Sequence, residues 1–214
     1  MIESAHGIIL RRRLLTETSL IVQWLTPGAG RLATVAKGAR RPRSLFAGKL
    51  DLFYEADFSF TRSRSTDLHT LREVELRETH QPLREDIRRL SQAAYACASI
   101  EQATETDTPV PGMYELLRKF LAVLVRQPPS ETLVFAFELK LLQELGLAPA
   151  LPETGLTPGT KKIAAILSEK EFSATGTLRP APAQAQELRQ FLHGFLIFHL
   201  GRLPRGRAAA LAEN

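Results

Sequence analysis

Apolar and polar residues alternate with a period of two through much of the first eighty positions of this chain. The clearest stretch is Leu50 to Phe60 (LDLFYEADFSF). Leu50, Leu52, Tyr54, Ala56, Phe58 and Phe60 are apolar or aromatic, Asp51, Glu55, Asp57 and Ser59 are polar, and Phe53 is the exception. One dry face repeating at every second residue is what a half-buried strand requires. Four more stretches read as strands: His6 to Arg13 (HGIILRRR), Ser19 to Thr26 (SLIVQWLT), Arg31 to Gly38 (RLATVAKG), and Leu68 to Arg77 (LHTLREVELR) with Val74 and Leu76 inward. Pro27-Gly28-Ala29-Gly30 supplies a hairpin turn between the second and third. Five short strands with a basic connection between the third and fourth fit a small β-barrel of the OB type. An SH3-like barrel is the competing topology, because the two differ in strand order rather than in periodicity.

Beyond residue 80 the period becomes helical. Behind Pro82, the residues Leu83, Ile87, Leu90, Ala94 and Cys97 recur at spacings of four and three, one stripe on a helix of about twenty residues. Cys97 on that stripe reads as a small core residue rather than a reactive thiol. A second helix follows Thr108-Pro109 and carries Met113, Leu116, Leu117, Phe120, Leu121 and Leu124. Pro128-Pro129 ends it, Ser130 caps a third helix, and Gly146 closes that one. Residues 147–160 (LAPALPETGLTPGT) form a loop rich in proline and glycine, followed by a short helix from Lys161 to about Lys170. A last helix runs from about Gln184 to Leu200 with Leu188, Phe191, Leu192, Phe195 and Phe198 inward, and the basic tail at 202–214 is expected to be a flexible, solvated end. The expected architecture is α+β: a five-stranded OB-type barrel at residues 1–80, then an all-helical domain at 81–214.

Charge sharpens this picture. The 214 residues hold 28 Lys and Arg against 23 Asp and Glu, a formal +5. Residues 1–50 hold nine basic residues and two acids, whereas 51–80 hold four basic residues and seven acids. The positive field therefore belongs to the first fifty residues, and a concentrated field of one sign attracts polyanions. The connection Ala36 to Lys49 (AKGARRPRSLFAGK) places Lys37, Arg40, Arg41, Arg43 and Lys49 on one loop, with Gly38, Pro42 and Gly48 preventing a long helix. Guanidinium groups match phosphate oxygens in a planar fork, and each neutralised phosphate releases counterions. Arg11, Arg12 and Arg13 at the end of the first strand extend the stripe, and Arg31 adds to it. A solvated basic loop with no ligand is the plain alternative. Among Trp24, Phe46 and Phe53, Phe46 inside the basic loop is the better base-stacking candidate, and Trp24 in its strand belongs to the core.

Other chemistry is sparse. A single cysteine leaves no internal disulfide and no zinc cluster built on several cysteines, and it fits a reducing cytoplasm. Five scattered histidines show no HExxH spacing, and there is no GxSxG or Walker loop. No apolar run reaches the eighteen or so residues of a membrane helix, and the N-terminus lacks the order of a secretory signal. These readings predict a non-enzymatic chain that needs no cofactor.

The residues from Glu17 to Ser44 (ETSLIVQWLTPGAGRLATVAKGARRPRS) resemble the N-terminal signature of the RecO family of bacterial recombination mediators. FELKLLQELGLAPAL (Phe137 to Leu151) is similar to that family's F-E-L-x-L-L-x-x-L-G-Y-x-P helix, and LRQFLHGFLIFHLGR (Leu188 to Arg202) resembles its final helix. The resemblance implies an OB domain followed by helices, and a bacterial, cytoplasmic, nucleoid-associated protein. It also implies binding of single- and double-stranded DNA and annealing of complementary strands. Together with RecR, such a protein helps RecA replace single-stranded-DNA-binding protein, whose C-terminal tail is a further implied partner. The family's DNA-contacting basic residues carry over onto Lys37, Arg40 and Arg41. Many members carry a four-cysteine zinc module where this chain reads LPETGLTPGTKK, so the resemblance implies no zinc here. Two other readings remain open: an RNA-binding OB module, and a protein adaptor without annealing activity.

Overall fold

β-Branched and aromatic residues at alternate positions build five strands: β1 (Ile2–Leu14), β2 (Leu20–Thr26), β3 (Gly30–Ala36), β4 (Glu55–Thr61) and β5 (Leu68–Glu78). The computed structural model describes residues 2–176 and 178–212. The strands close into a barrel in the order β1-β2-β3-β5-β4, with β3 and β5 parallel and the other neighbours antiparallel. That order is the OB arrangement, which settles the choice against an SH3-like barrel. β1 makes closure possible by serving two neighbours. Its first half pairs with β4 (Ile2↔Thr61 to Ile8↔Glu55) and its second half with β2 (Ile8↔Leu25 to Leu14↔Leu20), with a register shift between Ile9 and Arg11. An irregularity of this kind bends a strand and increases its twist.

The inward face is the one the alternation marks. Trp24 is fully buried and stacks on Phe58 with ring centroids 4.1 Å apart, and its indole N–H donates to Thr34 Oγ1 at 2.9 Å. Ile9, Val22, Leu32, Ala56, Phe60 and Leu71 are among the residues that pack around it. The predicted fourth strand begins five residues later than its pattern, at Glu55. Phe53, the residue that broke the alternation, takes a left-handed conformation (φ 68°) and is buried. Its amide donates to the carbonyl of Ile9, and the amide of Ile9 donates to the carbonyl of Tyr54, each at 2.9 Å.

The helices are α1 (Ile87–Ala103), α2 (Pro111–Arg126), α3 (Glu131–Glu144), α4 (Pro158–Glu169), α5 (Phe172–Thr175), α6 (Pro182–Leu200) and α7 (Arg207–Ala210). Ser130 caps α3, its hydroxyl accepting from the amide of Leu133. Two predicted stripes are rotated. On α1 the buried face is Gln92, Ala93, Tyr95, Ala96, Cys97, Ser99 and Ile100, while Ile87 and Ala94 face solvent; on α6 Phe198 is exposed. Small residues hid the true face of α1, because Ala93, Ala96 and Ser99 carry little apolar signal. Within 147–160 a short 3₁₀ turn spans Leu151–Glu153, and α4 starts at Pro158. Glu187 of α6 accepts from the Thr157 amide at 2.7 Å and its hydroxyl at 2.8 Å, and from the Thr160 hydroxyl, tying the loop down. Hydrogen bonds from Thr160 and then Thr157 hold the Glu187 carboxyl below its ordinary range.

The tail differs most from expectation. Within 202–212 (213 and 214 lie outside the described residues) Arg207, Ala210 and Leu211 are buried, although Arg202 and Arg205 stay exposed. Arg207 donates to Glu138 of α3, Nε to Oε1 at 2.6 Å and Nη2 to Oε2 at 2.9 Å, and Tyr95 donates to the same Oε1 at 2.6 Å. A buried carboxylate needs such partners, and the tail provides one.

By backbone contacts the chain forms two units. One contains Met1–His80 and Thr104–Arg118, the other Gln81–Ala103 and Lys119–Asn214. Thr104–Arg118, which the sequence pattern places with the helices, is held within the first unit by Arg31, whose Nε and Nη2 donate to the carbonyl of Thr104 at 3.1 and 2.7 Å. Among the described residues no helix is long and apolar enough to cross a membrane.

Candidate nucleic-acid interface

The β1–β2 ladder sets Arg11 opposite Gln23, Arg12 opposite Val22 and Arg13 opposite Ile21. The three arginines differ in what holds them. Arg12 is tethered: its Nη1 donates to the Leu50 carbonyl at 3.1 Å and its Nη2 pairs with Asp51 Oδ1 at 3.2 Å. Arg11 and Arg13 are exposed, and neither has an ion-pair partner among the described residues.

The basic connection after β3 is a chain of tight turns rather than a loose loop. The amides of Arg41, Ser44, Ala47 and Lys49 donate to the carbonyls of Gly38, Arg41, Ser44 and Phe46 at 3.0 to 3.1 Å. Gly38 opens it in the left-handed region (φ 67°), where a side chain is disfavoured. Arg40 fixes it to the β1–β2 connection: its amide donates to the carbonyl of Thr18 at 3.0 Å and its Nη1 to that of Glu17 at 2.9 Å. The result is a cleft of about 280 Å³ lined by Arg12, Arg13, Leu14, Leu20 and Arg40. Strand-end and loop arginines, separate in the sequence, thus share one surface. Lys37, Arg41 and Arg43 are exposed on the same loop, and Lys49 is half-buried.

Two predicted residues are not available there. Phe46 is only 8% exposed and packs into the barrel cluster, so its ring cannot offer a stacking face. It anchors the basic turns from below, a role that its place in a polar loop concealed. Arg31 stands at the opposite end of β3 from Lys37, about 20 Å away at strand rise, and its guanidinium is spent on the Thr104 carbonyl.

A third cluster escaped the sequence reading. His6 lies between Asp57 (Nδ1 to Oδ1, 2.6 Å) and Glu55 (Nε2 to Oε1, 2.7 Å); Tyr114 donates to Glu55 at 2.9 Å and Arg77 Nε to Asp57 Oδ2 at 2.6 Å. Burial works against protonation of His6, but the hydrogen bonds to Asp57 and Glu55 outweigh it and hold the imidazole above its ordinary value. Bonds from His6 and then Arg77 hold Asp57 below its own. Burial, followed by the charge of Glu55, pushes the Tyr114 phenol up. The partners of His6 lie 49 and 51 residues away, beyond any local pattern.

A family model described as the N terminal of recombination protein O matches residues 1–80, and its C-terminal counterpart matches 84–154. The chain belongs to the RecO family. It is 35% identical to a DNA repair protein RecO of Alkaliphilus metalliredigens over 152 residues, 71% of this chain and 61% of the relative. With a RecO of Symbiobacterium thermophilum it shares 38% over 150 residues, 69% of the chain and 58% of the relative. With one from Exiguobacterium sibiricum it shares 25% over 228 residues, 92% of the chain and 91% of the relative. The first two matches therefore span less than two thirds of those RecO proteins. The N-terminal RecO match ends two residues after β5, so it covers the barrel strands and every residue of the arginine cleft. The stretch LPETGLTPGTKK after α3 carries no cysteine, and among the described residues no group of three or more His, Cys, Asp or Glu is placed to hold a metal ion.

Proposed function

We propose that this protein is a non-enzymatic recombination mediator in DNA repair. It binds single- and double-stranded DNA through the basic end of its OB barrel and anneals complementary strands. The observation that carries the reading is the convergence of Arg12, Arg13 and Arg40 on one cleft beside the exposed Lys37, Arg41 and Arg43. Such a surface holds phosphates by charge and forked hydrogen bonds and reads little sequence, which suits annealing of arbitrary strands. The names of its RecO relatives support the repair role. RecR and the C-terminal tail of single-stranded-DNA-binding protein are the proposed partners, and loading of RecA is the outcome they serve.

Annealing of complementary oligonucleotides coated with single-stranded-DNA-binding protein tests this. The protein should accelerate duplex formation, and Arg40→Glu with Arg41→Glu should abolish the effect. No acceleration by the folded wild type would reject the reading. Tighter binding to RNA than to DNA of the same sequence would point instead to an RNA-binding OB module.

A further inference from the structure

None of the three aromatic candidates, Trp24, Phe46 and Phe53, presents an exposed ring on which a base could stack. The basic surface offers leucines. Leu14 is 63% exposed, Leu15 46% and Leu45 79%, although each is a side chain that folding ordinarily covers. Leu14 ends β1 opposite Leu20 and lines the arginine cleft with Arg12, Arg13 and Arg40; the amide of Leu15 donates to the carbonyl of Ser19 at 3.0 Å, which closes the connection to β2. Apolar side chains are thus set among guanidinium groups. A phosphate held by Arg13 or Arg40 carries its sugar and base toward that neighbourhood. In a duplex the base faces are stacked and covered, and an aliphatic wedge reaches them only by unstacking a step at a cost of about a few kcal/mol; in a single strand they are already open.

We propose that Leu14, with Leu15 beside it, is the apolar contact for unstacked bases, so that this surface prefers single strands to duplex. The proposal rests on the nucleic-acid reading of the cleft and adds the group that distinguishes a strand with open bases from a bare phosphate backbone. Leu14 and Leu15 contact the base, while Arg13 and Arg40 hold the backbone.

Fluorescence anisotropy with three labelled probes of equal length tests this: oligothymidine, an abasic strand and a duplex. The wild type should bind oligothymidine more tightly than the abasic strand. In the double variant Leu14→Ser, Leu15→Ser the affinity for oligothymidine should fall about tenfold, the worth of a largely buried leucine contact, with the abasic strand and the duplex unchanged. Leu14→Trp should widen the gap between oligothymidine and the abasic strand. Equal binding of both strands by the wild type, an unchanged affinity for oligothymidine in the double variant, or an equal loss on all three probes would overturn the leucine contact while leaving the phosphate surface in place. Absence of binding to every probe at low salt would overturn the nucleic-acid reading with it.

Discussion

Arg207 and Glu138 stand 69 residues apart in the chain and form a buried, doubly hydrogen-bonded pair, with bonds of 2.6 and 2.9 Å. The pair fastens the tail to α3, and Tyr95 completes the carboxylate's partners. Its two members are not equivalent to lose. Arg207→Met would leave Glu138 buried and uncompensated, which costs about 3 to 5 kcal/mol, whereas replacing both partners with apolar residues is often close to neutral. Urea denaturation should therefore show a large drop in midpoint for Arg207→Met, and recovery of most of it in Arg207→Met with Glu138→Leu. A single variant as stable as the wild type would contradict the pairing.

Gly30 and Gly28 sit two residues apart in one turn and should respond unequally to alanine. A Cβ at Gly30 would come within 1.8 Å of the Thr108 carbonyl oxygen, at φ 66°, whereas a Cβ at Gly28 meets nothing within 4 Å. The obstacle at Gly30 is backbone and cannot rotate away. Gly30→Ala should cost about 3 kcal/mol or more, in the range of severe single substitutions, and Gly28→Ala should stay within about 0.5 kcal/mol of the wild type. Thermal melts of the two variants side by side check this.

The His6 cluster makes stability depend on pH. Because the folded-state value of His6 is raised above the ordinary 6.5, its contribution is fully present below that pH and is lost as pH rises through the raised value. Asp57 acts in the other direction: its value is lowered from 3.8, so its contribution is present above that pH and disappears only on strong acidification. Above the ordinary 6.5 His6 governs; His69, whose value burial lowers, acts with the opposite sign and only below that pH. Melting temperature should fall as pH rises from there into mild alkali in the wild type, and His6→Gln should flatten the fall. An identical pH profile in both proteins would rule out His6 as its source.

The barrel was legible because its inward residues are large: Trp24, Phe58 and Phe60 alternate with polar partners, and tight turns separate them. The cap at Ser130 was legible from local chemistry alone. Strand order was not, since periodicity is the same in OB and SH3-like barrels; the parallel pairing of β3 with β5 decides it. In the candidate site, Arg40 and Arg13 were marked by charge. Nothing in the sequence said that Arg31 would be taken by Thr104, or that Phe46 would anchor the loop instead of facing outward. Those outcomes depend on contacts across many residues, as does the burial of Arg207. A residue's type announces what it can bind, and the fold decides whether the group is already occupied.

Arg13 and Arg40, with their loop neighbours, are the groups proposed to bind DNA by neutralising phosphates. The most direct measurement is the affinity for oligothymidine over a series of salt concentrations, for the wild type and for Arg13→Ala with Arg40→Ala. The logarithm of the binding constant should fall linearly with the logarithm of salt concentration, and the double variant should lower the magnitude of that slope by about 1.4, two phosphates at about 0.7 each. A wild-type slope near zero, or a slope unchanged by removing both arginines, would contradict the claim.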